Sequence, residues 1–399
     1  MNIGKELLKQ RIFYWLIAFV AISSVFPGYS LNSQAIIGLI IFWLFYNPFQ
    51  EKIELLEKNK KVFLALSIPF WMALIGLLYT EDVSPAFRDI ELKVPFLIFP
   101  LIFSSVKLKK ESFHFAMKNF LSGLVAATIL TGIKVLYFKL NDLGDYLYYQ
   151  NFSDFIGKHT TYFSLFVVIA MLFLLHKFFT SKSNRHYYIF IYLCFVGVLY
   201  LLSVRISVIG LAAGSLILII HHLHSKLKYV IIVLVPLLLG SLYLMPNFQK
   251  RFEPSQIENS QIDDADFRKL HWQAVVQTIA HNSLLIGNGT RGNRDYLYSK
   301  YKDSGLTSAY EEEYNAHNQY LEILLDFGIL GLLFFLLMLF YIARLTLKDN
   351  YLSFSILCVF VIFMLTESIL ERQSGIVLFS YMISLILLKE TDNKNETTS

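Results

Sequence analysis

The stretch "YYIFIYLCFVGVLYLLSVRISVIGLAAGSLILIIHH", residues 187–222, is apolar almost throughout and carries one charge, Arg205. As a helix rising 1.5 Å per residue, about 35 residues would reach about 50 Å, well beyond a bilayer core of about 30 Å. The flanks are basic on both sides, with Lys177, Lys182 and Arg185 before it and Lys226 and Lys228 after it. Short basic loops stay cytoplasmic, so both ends belong on one face. The stretch therefore reads as a helical hairpin with "SVR", residues 203–205, near its outer tip.

The rest of the chain extends this reading. Of its 399 residues, 55% are hydrophobic and 16% charged, and the mean hydropathy is +0.52, which excludes a soluble or disordered protein. The net charge of +5 would suggest nucleic acid in a soluble chain. Here the basic residues cluster in short loops, so their meaning is topological and no nucleic-acid partner is expected. About twelve crossings are expected, near 12–29, 31–49, 62–79, 92–106, 115–138, 160–179, 187–203, 205–222, 228–246, 319–343, 352–367 and 374–388. The fourth is short and interrupted by Pro95 and Pro100. The N-terminal segment resembles a signal peptide, but "SSVFPGYS" lacks a small-x-small cleavage site, so it reads as an uncleaved first helix. Cys194 and Cys358 both fall in apolar segments, which argues against a disulfide or metal–thiolate site.

Alternate loops are basic, from Lys5, Lys9 and Arg11 at the start to Lys389 and Lys394 at the end, whereas the intervening loops carry only Arg88 with Lys93, Lys139 with Lys158, Arg205, or Arg372. This alternation expects an all-α polytopic membrane protein, one integral domain over 1–399 with both termini cytoplasmic and a cytoplasmic tail at 389–399. It also sets the long hydrophilic segment, residues 247–316, outside, between the ninth and tenth crossings. Within it "DFRKLHWQAVVQTIAH", residues 266–281, lines Phe267, Leu270, Ala274, Thr278 and Ile279 along one helical stripe, an amphipathic helix lying on the membrane or over a cavity. His317 opens the tenth crossing from the same outer side as Arg205.

Several motifs carry less than their letters suggest. "GNGTRG", residues 287–292, fits the dinucleotide pattern but follows no strand, so its glycines are expected to shape a turn. "DAD", residues 264–266, lacks a nucleotide-binding domain around it. "HHLH", residues 221–224, sits among lysines at a cytoplasmic helix end, and "EEE", residues 311–313, reads as a solvated run near His317. No metal site is expected. Glu367 and Glu371, near the last outer loop, are candidates to line a cavity.

Three stretches resemble the O-antigen ligase and polymerase family of bacterial membrane glycosyltransferases: "LLSVRISVIGLAAG" (201–214), "RFEPSQ" with "DFRKLHWQAVVQTIAHNSLLIGNGTRGN" (251–293), and "AHNQYLEILLDFGILGLLFF" (316–335). The sequence departs from the family in having Ser283 where a proline is usual and in Val204 separating Ser203 from Arg205. The resemblance implies a large periplasmic loop at 247–316 and a location in the bacterial inner membrane. It implies transfer of a glycan from undecaprenyl pyrophosphate to a hydroxyl of lipid A-core or another glycan, without nucleotide, metal or other cofactor. His317 would be the base or the acceptor-orienting group. Arg205 and Arg268 would bind pyrophosphate, with Arg291 and Arg294 as candidates for the same cluster, and Asn318 and Tyr314 would orient the histidine or bind sugar. A polymerase differs from a ligase only in its acceptor, and protein glycosylation is a further variant. A transporter or flippase would call for ionisable groups and broken helices at mid-membrane.

Overall fold

Thr160–Thr180 is apolar on almost every face, and a helix of that kind belongs inside a bundle. In the computed structural model, which describes residues 2–26, 29–144, 146–181, 183–222, 264–281, 283–349 and 351–389, this helix (α8) is buried from Tyr162 to Leu174. A second central helix, α16 (Gln373–Leu388), is buried along nearly its whole length. Around these two pack α1 (Asn2–Val25), α2 (Tyr29–Tyr46), α3 (Phe49–Gly76), α5 (Pro95–Ser104), α6 (Lys110–Leu140), α9 (Arg185–Leu202), α10 (Arg205–His222), α14 (Gln319–Asp349) and α15 (Tyr351–Phe363). Short helices α4 (Val83–Lys93), α7 (Tyr149–Asp154), α11 (Asp264–His281), α12 (Arg294–Asp303) and α13 (Thr307–Glu311) gather the polar segments. Among the described residues the only β pairing is an isolated bridge, Leu108 to Lys389.

The protein is thus a polytopic helical membrane protein. Among the described residues six helices are long and apolar enough to cross a bilayer: α1, α6, α8, α9, α10 and α14. Their outward faces are apolar, as Leu333, Phe334, Leu337 and Phe340 of α14 and Ile129, Leu130 and Ile133 of α6 illustrate. Facing lipid, such side chains incur no desolvation penalty. α9 and α10 are separate helices joined at Ser203, which is left-handed; both pack on α8, and α10 also on α15, rather than on each other.

Two expected crossings take different forms. The polar run after Phe49 joins the apolar one in a single α3, bent 110° from α2. Its Glu, Lys and Leu residues are strong helix formers, and Lys52 Nζ donates to the Leu44 carbonyl (2.8 Å) at the bend, capping α2. The segment expected near 92–106 divides at Val94 into α4 and α5, because Pro95 starts a new helix at its first position. α5 has ten residues, about 15 Å, too short to cross alone. The ninth expected crossing, 228–246, the first part of the long loop through 263 and the tail from 390 lie outside the described residues.

α11 presents Ala274, Val275, Thr278 and Ile279 as a buried stripe, with Phe267 and Leu270 packed beside it. It rests on α12 and α14 in a small core separate from the main one. "GNGTRG" is a turn wedged between α3 and α14: Thr290 Oγ1 donates to the Ala73 carbonyl (2.6 Å), and Thr80 Oγ1 to the Thr290 carbonyl (3.0 Å). α14 breaks at Gly328, whose φ of 61° suits glycine. The break frees the Ile329 and Leu330 N–H groups, which donate instead to the Leu284 and Leu285 carbonyls (2.9 and 3.1 Å).

Candidate functional site

The turn before α14 is fastened at every residue. Asn318 caps the helix, its Oδ1 accepting from the Tyr320 and Leu321 N–H groups (3.0 and 3.1 Å) while its Nδ2 donates to the Leu365 carbonyl (3.0 Å). Asn318 N–H donates to Ser368 Oγ (3.2 Å), Gln319 N–H to the Met364 carbonyl (2.9 Å), and Ala316 N–H to Glu322 Oε2 (2.8 Å). His317 itself takes a φ of 44°, with its N–H donating to Asn315 Oδ1 (3.0 Å). A non-glycine residue in that region is strained, and strain of this kind collects at functional sites.

So held, the His317 ring brings Nδ1 to 3.3 Å from Glu367 Oε2 while its side chain stays 30% exposed. Tyr314, half-buried, stands edge-on to it at 5.2 Å, and the buried His271 lies 5.5 Å away. A carboxylate on one imidazole nitrogen fixes tautomer and orientation and leaves the other nitrogen for proton transfer. Burial would raise the Glu367 carboxyl. The hydrogen bond to His317 and the charges of His317, His159 and Arg372 outweigh burial and hold it below its ordinary value. Burial pushes His271 down to about 4, so beneath His317 it is a neutral ring, stacked on Tyr301 at 4.8 Å.

Glu322 and Asp326, four residues apart on one face of α14, meet Arg294 from α12. Arg294 Nη2 donates to both carboxylates, at 2.7 Å to Glu322 Oε1, while Nε and Nη1 find no partner among the described residues. Through Glu322 the same cluster reaches the Ala316 N–H, and so the His317 turn. A second buried cluster lies nearby: Lys93 Nζ donates to Asp89 (2.7 Å) and Glu371 (2.9 Å), and Gln319 Nε2 donates to the other Glu371 oxygen (3.1 Å). No group of His, Cys, Asp and Glu suited to a metal ion occurs among the described residues.

Arg294, Asp89 and Glu371 line a cleft of about 1080 Å³. Ile36, Ile37, Ile40 and Ile98 give it an apolar wall, and Arg88 and Arg291 join Arg294 as its cations, facing acidic residues that include Asp82 and Glu313. The structure thus brings together Arg291 and Arg294 in the cleft and Tyr314, His317 and Asn318 at the head of α14. Arg205, half-buried at the head of α10, and Arg268, exposed on α11, are not among the residues lining it. Arg88, Glu322, Asp326, Lys93 and Asp89 were not among the site residues expected from sequence. The two acids within the apolar run "LEILLDFG" were the signal available, since ionisable groups in a membrane helix seldom lack a partner.

Comparison with known proteins bears on the class. Residues 189–336 match the family model described as O-antigen ligase. A Rickettsia felis protein whose name reads "Putative polysaccharide ligase" is 25% identical over 305 residues, covering 72% of this chain and 70% of that protein. The resemblance to the O-antigen ligase family drawn from the three stretches therefore holds, and the matched region contains every site residue expected from sequence.

Proposed function

We propose that the protein is a membrane glycosyltransferase that moves a glycan from undecaprenyl pyrophosphate to a hydroxyl of lipid A-core at the periplasmic face of the inner membrane. The observation carrying this reading is the cleft whose lining combines isoleucines with Arg88, Arg291 and Arg294; His317 does not line it, but Gln319, two residues on, donates to Glu371 in its wall (3.1 Å). A polyprenyl pyrophosphate needs both surfaces at once. His317 takes the proton of the acceptor hydroxyl as its oxygen attacks the anomeric carbon. The bond from that carbon to pyrophosphate breaks, and the guanidinium groups meet the charge that grows on the leaving oxygen. Arg205 and Arg268, near the heads of their helices, are proposed as further cations for the same group, and Asn318 and Tyr314 hold the histidine. The chemistry calls for neither nucleotide nor metal. The same reading takes the chain through about twelve crossings with both termini cytoplasmic and 247–316 periplasmic.

The test is lipopolysaccharide from a deletion strain rescued with wild type, His317→Ala or Arg88→Gln. Core without attached glycan in the variants supports the ligase. Core capped by a single repeat points to a polymerase acting on the same donor. An unchanged ladder with His317→Ala removes the base assignment.

A further inference from the structure

A second cavity, of about 260 Å³, is lined by Gln150, Asp154, Lys158, His159, Arg372 and Ser374 among others. Its size suits one charged group or a single sugar. It is built, not incidental. The turn closing α7 runs through Gly157, at a φ of 56°, and brings Lys158 into the wall, where only 6% of it is exposed and its Nζ lies 3.4 Å from Ser374 Oγ. Arg372 stands at the N-terminus of α16, which no side chain caps, so the first N–H groups of that helix add partial positive charge. At the head of α8 the donors are already engaged: Gln150 Oε1 accepts from Thr160, and His159 Nδ1 from the Thr161 N–H. Burial lowers His159 from its ordinary value. Asp154 is exposed and accepts from Gln150 Nε2 at 2.6 Å. The lining of the cavity thus holds two cations, Lys158 and Arg372, a helix N-terminus and one carboxylate, Asp154.

The position of this cavity adds to its chemistry. Tyr162, which lines the cavity, donates to the Ser368 carbonyl (3.5 Å), and Ser368 Oγ accepts from the N–H of Asn318, the residue after His317, so the cavity adjoins the proposed base. Gln373 lines the large cleft and Ser374 the small cavity, so the connection from Glu371 to Ser374 divides the two. From this arrangement we infer that the small cavity is an acceptor subsite for an anionic group, a phosphate or carboxylate carried by the acceptor glycan, gripped by Lys158 and Arg372 while the hydroxyl meets His317. The inference rests on the transferase reading for its role, but the binding itself is testable without it.

Purified protein in detergent is titrated with glucose 1-phosphate, and with glucose as the uncharged control, by saturation-transfer NMR. Saturable binding of the phosphate and none of glucose is expected, weakened about ten-fold by Arg372→Gln and by Lys158→Gln, the scale of one charge-assisted hydrogen bond. Arg372→Lys recovers part of it. Arg372 is exposed, so its variants are expected to fold, and gel filtration confirms this before titration. Loss of binding with Arg88→Gln and not with Arg372→Gln would assign the phosphate to the large cleft and overturn the proposal, as would equal binding by wild type and both cavity variants. In a transfer assay, Arg372→Gln raises KM for a phosphorylated acceptor and leaves KM for the donor unchanged. Binding that follows Arg372 and Lys158 in a protein without transfer activity would keep the subsite and dismiss the transferase.

Discussion

His317 combines a left-handed backbone, a carboxylate on Nδ1 and partial exposure, and each has a separate consequence. His317→Ala removes the proposed base, and transfer in membrane vesicles is expected to fall by about 10²–10⁴. Glu367→Gln keeps the shape but not the charge. The expected loss is smaller, and it should appear in kcat and in the pH profile more than in acceptor KM. Because the Glu367 carboxyl is held below its ordinary 4.5, the pair contributes stability above that pH and loses it as the pH falls through the lowered value. Lys158 titrates at the other end. Burial lowers it from 10.5 to about 8, so its charge is present below pH 8 and lost above. Anion binding in the small cavity, where Arg372, Asp154 and His159 also face the bound group, should weaken between pH 7 and pH 9. Over the same window the unfolded chain keeps the proton that the folded one releases, so stability rises with pH. Lys158→Met is therefore expected to raise the melting temperature while abolishing phosphate binding, a trade of stability against function.

At the scale of elements, sequence and structure part company in an instructive way. The division of 187–222 into two helices, the buried stripe of α11 and the helix opening at His317 were legible, because apolar periodicity and basic flanks are local signals. The ion clusters were not. Lys93 was counted as a loop cation and Glu371 as a cavity-lining candidate, yet they meet across 278 residues, a proximity that packing alone creates. Glu367 was a candidate on position alone, and its pairing with His317 likewise comes from tertiary structure. Lys93→Ala leaves Asp89 and Glu371 buried without their cation and should cost about 3–5 kcal/mol, read as a lower thermal midpoint in detergent. The break in α14 makes a different prediction. A Cβ at Gly328 would come within 2.5 Å of the Leu285 backbone, at a φ that alanine avoids. Gly328→Ala should therefore loosen the 283–292 turn from α14, and with it the Asp326 contact to the Arg291 N–H (3.4 Å).

For the whole molecule, the charge alternation and the helices address different quantities. Charge counts follow which side a loop lies on; helix lengths follow what fits across a bilayer. α5 and α15, with ten and thirteen residues, fall short of a full crossing and meet it only as part of a packed bundle. Impermeant maleimide labelling of intact cells lacking an outer barrier tests the proposed sidedness. In a background with Cys194 and Cys358 replaced, a cysteine at Asp303 should label and one at Lys5 should not. The reverse pattern would turn the protein over and remove the periplasmic site.

The connection from Glu371 to Ser374 is a party wall. One residue of it touches the large chamber and the next touches the small one. A guest that shifts this wall to suit itself reshapes its neighbour's room. Thermodynamic linkage requires the influence to be mutual: whatever factor the donor lends to acceptor affinity, the acceptor returns to the donor. That factor has one value and one sign whichever ligand is titrated first, so titrating each ligand in the presence of the other tests whether the wall couples the two chambers.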